Sequence, residues 1–282
     1  MTPGGPARPE PHPSGKGGPP AAASHKLDWA ELTDVIDLTL RTGEQLLTHG
    51  ASAPAVERSV QCIGTALGCD ALDILVSPNV IMATTTEGRE FRTKARRVGA
   101  LHVDLRRIAA LDALTGDVIA GRCDHFELRC RLDAIDANAH GYPRMVVALC
   151  IGLACASFCR LFGGDWVAAG IVLVASSVGL LVRQWLAARH MALALNVLAT
   201  SFVVSVLSAL GSRLLPTQAP EHALGAAVLL LIPGVPLIHA FEELGRGYSL
   251  MAVARGVQGL VVSFAIALGL LLAMKVVGVS PL

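Results

Sequence analysis

The sequence predicts a membrane protein in which a soluble α+β domain precedes an α-helical bundle of about five transmembrane helices. Only 16% of the 282 residues are charged, whereas soluble domains carry about 25% charged residues. Most of the charged side chains lie between residues 26 and 140, and long apolar stretches fill the chain from residue 143 onward. This asymmetry indicates two parts that fold in different solvents, water for the first and lipid for the second.

Composition also predicts where these parts begin and end. Residues 1–25 are rich in proline and glycine and contain no apolar stretch of the kind that a secretory signal needs. We therefore expect a disordered tail at 1–25, a cytoplasmic α+β domain at 26–141 and a transmembrane helical domain at 142–282.

The α+β domain is predicted from a change in the spacing of apolar residues. Helical spacing begins at Asp28, which forms a capping box with Glu31, and a first helix ends near Gly50. A second helix follows as far as Gly68. Alternation with a period of two then predicts three short strands, and helical spacing returns after them. The strands are expected near 72–76, 80–84 and 91–98, and the helices near 104–120 and 124–139.

Five apolar stretches in the second part are each close to the roughly 20 residues that cross a bilayer. They cover 143–161, 165–186, 191–212, 222–241 and 250–278. Basic residues near the membrane, among them Arg183, Arg189 and Arg246, favour one side of the predicted bundle. The positive-inside rule therefore predicts a cytoplasmic N-terminus and a C-terminus outside the cell.

The fourth apolar stretch contains the segment LLLIPGVPLIHAFEELGRG at 229–247. Pro233 and Pro236 lack an N–H group, and Gly234 lies between them, so the helix is expected to break near the middle of the span. Broken membrane helices use their freed backbone groups to hold substrates or ions. The alternative is a structural kink of a kind common in membrane helices.

Two ionisable residues follow this break. His239 and Glu242 are three positions apart, so both can face one cavity, and the pair suits proton coupling. The alternative for Glu242 is an acid in water at a helix end. Glu243 is expected to face the cytoplasmic interface.

Few other polar residues interrupt the apolar stretches. Asn196 and Gln258 are candidate substrate contacts, whereas small residues such as Ser176 and Ser201 are expected to join helices. Arg255 is placed either to bind a substrate carboxylate or to anchor the chain at the cytoplasmic interface.

The soluble domain offers candidates of its own. Ser52 suits a helix N-cap and no nucleophile-elbow motif is present, so the chain is not expected to be an enzyme. A basic cluster that includes Arg96 and Arg97 fits either a face near anionic lipid or a vestibule for carboxylates.

Several classes of partner are not expected. A formal net charge of +1 gives no indication of nucleic-acid binding. The spacing of the seven cysteines matches neither a metal site nor a disulfide framework. The chain has no Walker A motif for ATP, so we expect no metal and no cofactor, and proton coupling is the preferred energy source.

Four motifs resemble the threonine/serine exporter family. They are LLTHGASAPAVERSVQCIGTALG at 46–68, TKARRVGALHVDLRRIAALDALTGDVIAG at 93–121, LFGGDW at 161–166 and LIPGVPLIHAFEELGRGYSLMAVARG at 231–256. They occur in the family's order and cover about residues 30 to 278. The soluble-domain positions singled out by the resemblance are His49, Gly50, Ser52, Glu57, Arg58, Arg96 and Arg97. The resemblance also implies a hydrolase-like soluble domain, in which Thr48, His49, Ser52 and Glu57 could be arranged as a nucleophile and base.

The resemblance implies a transporter of the split form, which works with a second small membrane subunit. It implies export of threonine and serine or of a dicarboxylate such as succinate. Glu242 stands where the family usually has aspartate, which preserves the charge but changes its reach.

Three functions are therefore considered. The first is a subunit of a secondary transporter in the bacterial inner membrane, in contact with lipids and with a second small membrane subunit, further copies of itself, or both. The second is an accessory or regulatory membrane protein whose soluble domain binds a ligand or a partner. The third is a membrane-tethered hydrolase.

Overall fold

The computed structural model describes residues 29–69, 72–87, 90–99, 101–137 and 141–278. The tail predicted at 1–25, Asp28 of the predicted capping box and Gly88, between the second and third predicted strands, lie outside these residues. We call residues 29–137 the N-terminal region and residues 141–278 the C-terminal region.

The described N-terminal region combines helices with a three-stranded sheet. Its elements are α1 (Trp29–Thr48), α2 (Ala53–Ala66), β1 (Leu72–Val76), β2 (Val80–Glu87), β3 (Glu90–Arg97), α3 (Leu105–Ile119) and α4 (His125–Ala137). The strands form an antiparallel meander in the order β1-β2-β3, with Ile74 opposite Ala83 and Ala83 opposite Lys94. The small sheet predicted from the alternating pattern is therefore present.

The C-terminal region is helical throughout its regular structure. It contains α5 (Arg144–Leu161), α6 (Trp166–Ala188), α7 (Leu193–Leu214), α8 (Pro220–Val228), a 3₁₀ turn (Leu229–Leu231), α9 (Gly234–Gly245) and α10 (Ser249–Val277). Within the described residues, α5, α6, α7 and α10 are each long and apolar enough to cross a membrane. The segments Pro220–Leu231 and Gly234–Gly245 pass the same test as a pair bent by 62°, which gives up to five spans.

Buried contacts between small residues hold the long helices together. A side chain added at Gly269 of α10 would approach the backbone oxygen of Leu198 in α7 to 2.6 Å, so the two helices can touch only because this residue is glycine. Nearby, the Ser201 hydroxyl donates to the Ile266 carbonyl at 2.9 Å, and the Ser176 hydroxyl donates to the Ala227 carbonyl at 3.3 Å. The two serines join helices, as the sequence predicted.

The LFGGDW motif fixes the connection between α5 and α6. Asp165 accepts the N–H of Ala168 at 2.8 Å and so caps α6, and its carboxylate also accepts the hydroxyl of Thr217 at 2.7 Å. The Ala168 N–H and the Thr217 hydroxyl lower the pKa of this carboxyl below its ordinary value. The motif therefore ties the α5–α6 loop to the residues between α7 and α8.

One apolar core organises the N-terminal region and reaches into the C-terminal region. Val35, Leu47, Leu111 and Leu128 from α1, α3 and α4 are almost completely buried in it. Met251, near the start of α10, belongs to the same core. The N-terminal region therefore packs directly on the beginning of a membrane helix.

Candidate functional site

The predicted helix break lies between the 3₁₀ turn and α9. Regular α-helix ends at Val228, the 3₁₀ turn ends at Leu231, and helix resumes at Gly234. Pro233 precedes α9, and Pro236 occupies its third position, where a missing N–H costs little because the first turn has no intrahelical acceptor. The break expected from the two prolines is confirmed.

A small cavity lies beside this break. It has a volume of about 60 Å³, which is room for a few water molecules. Its wall consists of Gly50, Leu101, His102, Val103, Val235, Pro236, Arg255 and Gln258. Four predicted site residues from distant parts of the sequence therefore meet here: Gly50, Pro236, Arg255 and Gln258.

The loop between α1 and α2 contributes to the part of the cavity wall that belongs to the N-terminal region. The N–H of His102 donates to the Thr48 carbonyl at 2.8 Å, and the N–H of Asp104 donates to the His49 carbonyl at 3.0 Å. Gly50 has a φ of +99°, and a side chain there would lie 3.3 Å from a methyl group of Val103. The loop thus needs glycine for its backbone conformation and for its closeness to residues 102–104.

Gly50→Ala is expected to destabilise the protein by about 1–3 kcal/mol, because alanine is strained at this φ. Thermal unfolding of the purified protein measures the effect. Gly225→Ala is the control, since Gly225 lies in α8 with open space around it and alanine favours helix. Equal melting temperatures for the two variants would contradict the prediction.

His49 is fixed by contacts on both ring nitrogens. Its Nδ1 lies 2.6 Å from the Gln45 carbonyl oxygen, and its Nε2 lies 3.2 Å from the Arg107 guanidinium. A carbonyl only accepts and a guanidinium only donates, so Nδ1 carries the proton and Nε2 is an acceptor. Burial lowers the pKa of His49, and His102 and Arg107 lower it further. The His49 ring is therefore neutral, and its two nitrogens contact Gln45 and Arg107 rather than Ser52.

Ser52 precedes α2 but its side chain makes no capping hydrogen bond. Ser52 therefore occupies the predicted N-cap position without the expected side-chain hydrogen bond. The carboxylate of Glu243, from α9, accepts a different N–H of the first turn, that of Ala53, at 2.9 Å.

The prediction that Glu243 faces the cytoplasmic interface is also wrong. Glu243 is 0% exposed, and one of its oxygens lies 3.3 Å from the Nε of Arg255. Arg255 is 5% exposed and donates from Nη2 to the Ala51 carbonyl at 2.8 Å. Ala240 and Glu243 are the buried residues of α9. They are three positions apart and therefore lie on the same face of the helix.

His239 and Glu242 lie together, as their spacing predicted. The Nδ1 of His239 is 3.4 Å from Glu242, whose other oxygen is 3.2 Å from Arg246. Their side chains are 23% and 34% exposed, respectively. Neither residue lines the cavity, so their expected part in the pathway stays a prediction.

Asn196 does not reach the cavity either. Its amide donates to the Arg183 carbonyl at 3.2 Å, and its side-chain oxygen accepts the Thr200 hydroxyl at 3.3 Å. Asn196 thus joins α6 to α7 in this structure.

The remaining candidates in the N-terminal region lie elsewhere. Glu57 accepts the hydroxyl of Tyr248 at 2.5 Å, and this bond to a carboxylate raises the pKa of Tyr248 to about 12. The two residues border a groove of about 280 Å³ between β1 and the α9–α10 turn, which Arg246 also lines. This contact is a second link between the N-terminal and C-terminal regions.

The predicted basic cluster is partly neutralised within the N-terminal region. Arg96 pairs with Glu44 at 2.5 Å, and Lys94 pairs with Asp37 at 2.8 Å. Arg58 and Arg97 are exposed. Among the residues that the structure describes, no group of three or more His, Cys, Asp or Glu side chains could hold a metal ion.

Comparison with known proteins identifies relatives over nearly the whole chain. The model of the ThrE family, described as "Putative threonine/serine exporter", matches residues 37–277. A protein of Klebsiella aerogenes named "Probable succinate transporter subunit YjjP" is 31% identical over 254 residues, which are 90% of this chain and 98% of that protein. Its Escherichia coli namesake is 31% identical over 246 residues, 86% of this chain and 95% of that protein.

A longer relative shows a partial match. A protein of Mycobacterium tuberculosis named "Probable threonine/serine exporter" is 25% identical over 259 residues, which cover 88% of this chain and 47% of that protein. No solved structure matches the chain. The family match and the apolar helices together show that this chain is a multi-pass membrane protein of the threonine/serine exporter family of transporters.

Proposed function

We propose that this chain is the larger subunit of a proton-coupled secondary transporter that exports a small carboxylate-bearing metabolite. The observation that carries the proposal is the cavity beside the helix break, where Arg255 and Gln258 meet a proline-interrupted span. A guanidinium and an amide are the groups that bind a carboxylate and a neighbouring polar group. Interrupted helices at such positions are typical of substrate sites in secondary transporters.

A dicarboxylate such as succinate is the favoured substrate, with threonine and serine as the alternatives. The relatives that this chain covers almost completely are named succinate transporter subunits, whereas the relative named as a threonine/serine exporter is about twice as long as its matched part. The word "subunit" in those names supports a second, small membrane protein as partner.

The N-terminal region is proposed to lie in the cytoplasm of a bacterial cell, with the C-terminus beyond the inner membrane. Arg246 lies beside β1 of the N-terminal region, so the basic end of the helices and this region lie on the same side. The cavity has room only for a few waters, so a metabolite passes only when the walls separate, as alternating access requires.

The direct test is efflux of labelled succinate, threonine and serine from cells that express the chain with and without a companion small membrane subunit. We expect succinate efflux above the background of cells without the chain. Efflux at background for all three metabolites, with both proteins in the membrane, would refute the proposal.

Gln258→Leu is expected to reduce efflux about 3- to 10-fold, because it removes one polar contact from the cavity wall while retaining most of its volume. Val257→Leu is the matched control, since Val257 is the adjacent residue of α10 and is 52% exposed on the outside of the helix. Equal efflux from both variants at equal membrane levels would exclude Gln258 from the pathway.

A further inference from the structure

A buried carboxylate of the chain itself occupies an anion site beside the cavity. One oxygen of Glu243 accepts the N–H of Ala53 at the start of α2 and lies 3.3 Å from the Nε of Arg255. The start of a helix of 14 residues carries a partial positive charge, and a guanidinium carries a full one. A helix N-terminus and an arginine together form a site for a carboxylate.

The ion pair in this site is not fully satisfied. Within the described residues, the second oxygen of Glu243 and the Nε of Arg255 are buried without a hydrogen-bond partner. Arg255 is at once the partner of Glu243 and part of the cavity wall, with Gln258 one turn further along α10. A ligand that enters the cavity therefore meets the same guanidinium that Glu243 now holds.

Charge balance limits what can bind there. With Glu243 ionised, the pair is neutral, and a second carboxylate at Arg255 would leave a net negative charge in a buried site. If Glu243 takes up a proton, the substrate carboxylate restores neutrality. The protonated side chain can still accept the Ala53 N–H through its carbonyl oxygen.

We propose that Glu243 competes with a carboxylate of the substrate for Arg255, and that Glu243 takes up one proton when a substrate carboxylate binds Arg255. The proposal rests on the proposed function and names both the substrate-binding group and the proton-binding group of that site. The carboxylate of the ligand exchanges its contacts with water for contacts with Arg255, and the Glu243–Arg255 ion pair breaks. Glu243 takes its proton from solvent.

Other charged and polar groups surround this pair. Glu242 adds a second negative charge near Arg255 and is itself paired with His239 and Arg246 on α9. From the N-terminal region, His102 lines the same cavity, and the backbone of Ala53 faces Glu243. Among the charged residues that the structure describes, Glu243 alone combines full burial with direct contact to Arg255.

The experiment is calorimetric titration of the purified full chain in nanodiscs with succinate, threonine and the neutral analogue succinamide. Two buffers of different ionisation enthalpy report proton uptake. We expect the wild type to bind succinate or threonine with uptake of about one proton, so the affinity should fall as the pH rises. Succinamide should not bind.

Glu243→Gln retains an acceptor for the Ala53 N–H and removes the competing charge. It is expected to bind the same carboxylate at least tenfold more tightly at pH 8 than the wild type, without proton uptake. The double variant Glu243→Gln/Arg255→Gln leaves no stranded charge, should remain folded by thermal melting, and should not bind carboxylates. Glu221→Gln, a change of an exposed glutamate near the start of α8, is the control and should behave as the wild type.

Three results would overturn the inference: no carboxylate binding by the wild type, unchanged affinity and proton uptake in Glu243→Gln, or carboxylate binding by the double variant. The assay measures binding and needs no transport. Binding with proton uptake but without cellular efflux would therefore defeat the proposed function and leave the site intact. Cellular efflux together with unaltered binding and proton uptake in Glu243→Gln would defeat the inference about Glu243 and leave the proposed function intact.

Discussion

Replacing Glu243 with alanine is expected to lower the free energy of unfolding by about 3–5 kcal/mol, because it strands the buried charge of Arg255. The same change removes the acceptor for the Ala53 N–H at the start of α2. Unfolding by SDS in mixed micelles measures the loss. Glu242→Ala is the contrast, since Glu242 pairs with Arg246 at the surface and such pairs contribute about 0–1 kcal/mol.

The double variant Glu243→Ala/Arg255→Met tests the cause of this loss. Removing both charges together is expected to recover most of the stability, because no ionised group is then left without a partner in the interior. If the double variant is as unstable as Glu243→Ala, the loss comes from the missing cap or from a cavity rather than from the arginine.

Straightening the broken span is expected to abolish export. In Pro233→Ala/Pro236→Ala, two N–H groups return and alanine is favoured over proline in a helix interior by about 3 kcal/mol per residue. A continuous helix would remove the 62° bend and carry positions 235 and 236 away from the cavity wall. We expect efflux to fall more than tenfold at an unchanged membrane level.

Pro220→Ala is the matched control for this experiment. Pro220 belongs to the same bent pair but lies in the first turn of α8, where proline costs little and its replacement should not alter efflux. Spin-label distances between α8 and α9 report the bend directly. A straightened span with normal efflux would show that the break is only a structural kink.

Local patterns predicted most of the secondary structure because local physics determines it. The alternation at 72–76 and 80–84 indicated the sheet, and the apolar stretch 143–161 nearly coincides with Arg144–Leu161. The helix break followed from the chemistry of two prolines, whose missing N–H groups act wherever the residue lies. The start of α4 is fixed locally as well, because the carboxylate of Asp124 accepts the Glu127 N–H at 2.7 Å.

The ion pair at the site could not be predicted in this way. Glu242 and Glu243 are adjacent and chemically identical, and only the packing of α9 on α10 and α2 determines which is buried. The hydrogen bond of the first N–H of α2 is equally non-local, because its acceptor is 190 positions away along the chain. Gly50 and Gln258 meet for the same reason, since the cavity forms only when the two regions pack together.

The placement of Met251 in the core of the N-terminal region has a consequence for exchanging parts between relatives. In a chimera joined near residue 141, the core of the N-terminal region would come from one parent and the residue at position 251 from the other. The residue that contacts Glu57 at position 248 would also come from the other parent. A hybrid keeps these contacts only if one parent supplies both residues 29–137 and the segment of α9 and α10 that contains Tyr248 and Met251. We therefore expect functional chimeras between family members to exchange these two segments together, although they are far apart in the sequence.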